Sequence, residues 1–106
     1  MELIKWTEHV EAKEPFHRKM LFQTDGSKAV LLTLQPGQFL PPHQHPGCSV
    51  YVHVLSGKVT VKTDHTTCVH TSEHLLQING EESVGIRNES REQAVVSIIL
   101  AKKQKP

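Results

Sequence analysis

Short runs of β-favouring residues, each cut off by a turn former, recur along the whole chain and leave little room for anything but a sandwich or barrel of strands. The run Arg18 to Gln23 is closed by Asp25-Gly26, and the aliphatic run Ala29 to Leu34 by Gln35-Pro36-Gly37. Val50, Val52 and Val54 alternate with Tyr51 and His53, the pattern of a strand with one buried face. Ser56-Gly57 turns the chain, and Val59 and Val61 alternate with Thr60 and Lys62 on the way back, which predicts a hairpin. Further strands are expected at 67–71, 74–78 and 83–87, and an apolar last strand from Ala94 to Ala101. No segment holds a helical period over a useful length. Glu8 to Glu14 has room for one turn before Pro15 ends it. With 106 residues, the chain is read as one all-β domain over 1–106, its barrel spanning about 18–101. The strand at 18–23 and the last strand are both too hydrophobic for bare edges, which predicts a homodimer.

Charge excludes several classes of partner. Twelve basic against eleven acidic residues leave a formal +1, so no strong field favours nucleic acid or membrane. The tail Lys102, Lys103, Lys105 reads as a solvated C-terminus. No apolar stretch approaches the ~20 residues that span a bilayer. Nor does the N-terminus carry a secretory apolar region, so the expectation is a cytoplasmic protein with Cys48 and Cys68 reduced. The Asn88-Glu89-Ser90 sequon is then without consequence. Aromatic residues, at 5%, are too few for a base- or sugar-stacking platform. Trp6 and Phe16 are expected to cover a barrel end or meet a partner subunit. A phosphate-binding glycine loop, cysteines at zinc spacing and a serine elbow are all absent from the sequence.

What remains is histidine, eight in all. His43 and His45 sit one residue apart inside Pro41-Pro42-His43-Gln44-His45-Pro46-Gly47, a stretch whose prolines forbid helix. On an extended segment both side chains point to the same face, so the pair either begins a mononuclear metal site or belongs to a surface loop. Cys48 is the candidate third ligand, or else a small buried residue. His70 shares parity with Cys68 and could lie inside a barrel. His53 should point outward from the Val50-Val52-Val54 face, and His9, His17, His65 and His74 read as surface residues.

The stretch from Gly37 through His43, His45 and Pro46 to Gly57 resembles the first motif of the cupin superfamily: glycine, five residues, His-x-His, three or four residues, glutamate, six residues, glycine. Glu73 to Asn88, with Asn79-Gly80 at its turn, is similar to the second motif. The resemblance implies a cupin-type antiparallel β-barrel (double-stranded β-helix or jelly roll), frequently dimeric, usually with one metal ion inside. It also exposes a defect. Val50 (or Ser49, at the shorter spacing) stands where the glutamate ligand belongs, and Val84 where the second-motif histidine belongs. Valine has no donor atom, and two ligands rarely retain zinc or iron.

Three functions are consistent with this pattern. One is a small cupin that binds a small molecule, or loosely holds one divalent transition metal (zinc, iron, nickel or manganese), through His43 and His45 without ordinary cupin catalysis. The second is a metal-dependent dioxygenase or isomerase with a non-standard third ligand such as Cys48. The third, a metal-free isomerase with a histidine base, needs a carboxylate partner that neither motif supplies.

Overall fold

The computed structural model describes residues 1–104. Nine strands follow a 3-10 helical turn at Trp6–His9. They are β1 (His17–Gln23), β2 (Ser27–Leu34), β3 (Phe39–His43), β4 (Cys48–Ser56), β5 (Lys58–Lys62), β6 (Thr67–Thr71), β7 (Leu75–Asn79), β8 (Val84–Arg87) and β9 (Ala94–Lys102). They form two antiparallel sheets, ordered β1-β2-β9-β4-β7 and β3-β8-β5-β6. The expected strands are all present, with ends shifted by a residue or two.

The alternating valines explain how the sheets face one another. Residues directly paired across antiparallel strands project to the same side, and the ladder sets Leu32 beside Val96 and Val96 beside Val54. With Leu34, Ala94 and Val52 they form the inner face of the first sheet, and Val59, Val61, Val84 and Ile86 supply the facing layer of the core. Phe16 and Leu40 pack against this core from its margin, which agrees with the covering role expected of Phe16. At ~25 cal/mol per Å² of apolar surface, this burial is the main stabilising term.

Four expectations need correction. Pro41 and Pro42 do not form a loop: β3 runs through them to His43. Proline is tolerated because β3 is an edge strand, and the ladder with β8 shifts register between Leu40 and His43, where the prolines lack donors. The last strand is not an edge. β9 lies between β2 and β4, paired on both sides, so its apolar sequence reflects a central position, and only β1 remains an edge from that argument. The helical turn forms earlier than expected, at Trp6–His9. The cationic tail also differs in part: Lys102 belongs to β9, and Lys103 donates to Asn79 Oδ1 at 2.6 Å and lies 3.8 Å from Glu81 Oε1. Lys105 lies outside the described residues.

One end of the barrel is closed by a polar clamp. Asn88 is fully buried; its Nδ2 donates to Leu34 O at 2.9 Å and Glu92 O at 2.8 Å, while its Oδ1 accepts from Ser90 N and Oγ. Its backbone exchanges further bonds with Gly37 and Gln38. Gly57 turns β4 into β5 with φ +75°, and a Cβ there would lie 2.6 Å from Gln93 O. The outer residues of the cupin-like motifs thus serve this closed end.

Candidate functional site

The opposite end carries the histidines. His43 is the last residue of β3 and pairs with Val84 of β8. His45 lies in the loop before β4, half-buried, while His43 is exposed. Their rings stand 4.4 Å apart, centre to centre, tilted by 38°. The common face expected from their spacing is therefore present.

The loop is held by backbone chemistry. His45 N donates to Gly80 O at 2.8 Å, Gly80 N to Cys48 O at 2.9 Å, and Cys48 N to His45 O at 3.1 Å. Glu81 adds a second fastening, for its carboxylate accepts from Gly47 N at 2.9 Å and its carbonyl from Gln44 Nε2 at 2.8 Å. Gly80 must be glycine for a steric reason: a Cβ there would fall 2.1 Å from His45 O and 2.4 Å from Cys48 O. Such a loop presents the two imidazoles with little freedom left to lose on binding.

Beneath the pair the surroundings are aliphatic. Val50 is 2% exposed, and Val84 is buried opposite His43. Cys48, half-buried, begins β4 with the same parity as Val50. It does not complete a ligand set, because among the described residues no three His, Cys, Asp or Glu side chains converge so as to hold a metal ion. The donor set present does not fit the mononuclear centre that the cupin motifs imply.

Burial lowers the His45 pKa from its ordinary value, helped by the charges of His43, Lys28 and Arg18. The sequence pattern does not single out Lys28 and Arg18, because the aliphatic run begins only at Ala29 and the run at 18–23 carries no sign of its pairing. The ladder sets Lys28 beside Leu100 and Arg18 beside Leu32, both core-side neighbours. Strict alternation from Val30 back to Lys28 is the signal that could have found the lysine. His70 lies opposite Val59 on the core-side face of edge strand β6, half-buried; burial lowers its pKa, with a contribution from His74, whose ring meets it edge-on at 5.3 Å. His53 is exposed, as expected. A broad open hollow of about 560 Å³, bordered by Gly57, Lys58 and Thr71, lies at the closed end, away from the histidines.

Two sheets wrapped face to face, with a His-x-His pair at the open end, define the double-stranded β-helix class. The chain belongs to the cupin family, whose cupin-domain model matches residues 30–100. Solved structures agree in fold. A protein of Thermus thermophilus superposes with a TM-score of 0.90 at 22% identity, over 98% of this chain and 100% of that one. An uncharacterized conserved protein of Klebsiella pneumoniae with a double-stranded β-helix domain gives 0.89 at 18%, over 96% and 90%. The cupin domain of an XRE-family transcriptional regulator from Enterobacter cloacae gives 0.79 at 20%, over 86% and 100%. At these identities the likeness establishes the fold alone. No curated protein matches the chain in sequence.

Proposed function

We propose that the protein is a ligand-binding cupin that takes a small molecule at the open end of its barrel, with His43 and His45 as the polar contacts and without the metal chemistry usual in the family. The observation that carries this reading is the company of the histidine pair: rings 4.4 Å apart, with Val50 and Val84 buried at the two positions from which the family's remaining ligands would come. Two imidazoles with no third donor bind a divalent ion weakly and exchange it readily. They are well suited to exchanging hydrogen bonds with a polar group, since a neutral imidazole offers one donor and one acceptor.

Equilibrium dialysis of the untagged protein against zinc, iron(II), nickel(II) and manganese(II) tests the reading. Retention well below one ion per chain is expected for each metal. Retention near one ion per chain, lost in both His43→Ala and His45→Ala, would overturn it in favour of a metal-dependent enzyme.

A further inference from the structure

The outer face of the second sheet has a gap where one strand contributes no side chain. Across that sheet the ladder sets Phe39 beside Arg87 and Arg87 beside Thr60. In the adjacent row it sets Gly85 beside Lys62 and Lys62 beside Thr67. The side chains of both rows project away from the core, because the intervening Val61, Val84 and Ile86 point into it. Gly85 leaves the gap, and Pro42 leans over its edge: a Cβ on Gly85 would stand 3.1 Å from Pro42 Cγ. The result is a hollow of about 180 Å³. β3 supplies its apolar wall, Phe39 and Pro42, and β5 its polar wall, Thr60 and Lys62. β8, between them, gives Gly85 as the floor and Arg87 at one end.

The cations of this hollow lack partners. The Arg87 guanidinium carbon stands 4.8 Å from the centroid of the Phe39 ring, a cation–π contact that holds the guanidinium in place and uses none of its five N–H donors. Neither Arg87 nor Lys62 belongs to the ion pairs formed among the described residues, which join Lys13 and His17 to Glu11, His65 to Glu82 and Lys103 to Glu81. Glu89, two residues beyond Arg87, borders the same hollow and is also outside those pairs. Since Lys62 pairs with Gly85, it is the diagonal neighbour of Arg87, at a spacing of about 7–8 Å that long side chains span. Two like charges so placed repel, and an anion held between them relieves the repulsion.

We propose that this hollow binds a small carboxylate with a flat apolar body, its carboxylate between Arg87 and Lys62 and its body against Phe39 and Pro42. The site is separate from the histidine pair and does not depend on the reading given for that pair. A planar guanidinium fork matches a carboxylate through two parallel hydrogen bonds, and the lysine adds a point charge. The volume limits the ligand, because it falls below the ~300–1,000 Å³ of pockets that take drug-sized molecules. Inorganic phosphate satisfies the cations and leaves the Phe39 and Pro42 wall unused.

Benzoate, its neutral analogue benzamide and inorganic phosphate, titrated into the intact protein and followed by amide NMR shifts, test the site. Benzoate is expected to shift amides at 39–42, 60–67 and 85–89, and to bind at least roughly threefold more tightly than either other probe. Arg87→Gln and Lys62→Gln are each expected to weaken benzoate by roughly two- to fivefold. Glu89→Gln, which removes the carboxylate at the rim, should tighten it. Lys19→Gln, on β1 of the other sheet, should leave it unchanged. A dispersed amide spectrum for each variant establishes that it is folded. Equal binding of benzamide would overturn the anion, and equal binding of phosphate would overturn the apolar body. Absence of shifts in these segments, or no loss in either cation variant, would overturn the site itself.

Discussion

The two ends of this barrel are built from the same strands and obey different rules. At the closed end, Leu34, Ala94 and Val96 are wholly buried, and Asn88 satisfies carbonyls and amides that would otherwise be stranded at the strand termini. At the open end, the His43 and His45 rings stand 4.4 Å apart, Lys28 takes an inner-face position beside Leu100, and Leu100 is only partly covered. The difference shows that strands of one barrel can close a core at one end and present imidazole side chains at the other. The polar groups of the Asn88 clamp are paired within the protein.

The sharpest way to break this comparison is to remove the clamp. Asn88→Ala deletes the side-chain donors to Leu34 O and Glu92 O and the acceptor of Ser90 N and Oγ, leaving Glu92 O only its bond from the Ser90 hydroxyl, with an expected loss of roughly 3 kcal/mol in unfolding free energy. Urea denaturation measures it. A loss below about 1 kcal/mol would mean that the closed end does not carry the stability assigned to it.

Gly80→Ala acts at the other end. Its new methyl group collides with the carbonyls of His45 and Cys48, so the loop must move. The expected cost is roughly 2 kcal/mol, smaller than for Asn88→Ala because the carbonyls it displaces lie in a surface loop and not in the buried core. The distinguishing readout is local: His43 and His45 side-chain NMR signals move, while amides around Asn88 keep their shifts. Movement at both ends would show that the two regions are coupled.

The smallest effect concerns pH. Burial, with the neighbouring cations, lowers the His45 pKa in the fold, so the unfolded chain takes up a proton at higher pH than the native protein does. The contribution is fully present above the unfolded histidine value of about 6.5 and is lost as pH falls through the lower native value. His70 acts in the same direction. Unfolding free energy should therefore decline on acidification through that window. His45→Gln should flatten the decline. An unchanged slope in that variant would place His45 outside the environment described.

Much of the fold is legible in the sequence because β periodicity is local. The alternation at 50–54 and 59–61 identifies the hairpin and its buried face without knowledge of any partner strand, and glycine at 57 signals its turn. β3 is not legible in this way, because prolines argue against strand wherever the ladder is complete, and only an edge position beside a register shift admits them. β9 misleads for the complementary reason: an apolar strand can be hydrophobic because it is flanked on both sides, and composition does not say which strands flank it.

The histidine pair itself shows where this division falls. One residue of spacing determined that His43 and His45 would share a face, and the absence of donor atoms at Val50 and Val84 follows from residue type alone. Their surroundings were decided only by the tertiary structure. Lys28 and Arg18, distant in sequence from the pair, come within electrostatic reach of it only when β1, β2 and the β3–β4 loop assemble, and Gly80 becomes indispensable only when its backbone meets that loop. Spacing along a strand is set by covalent geometry, whereas the electrostatic environment of a site depends on which strands the whole sheet brings together.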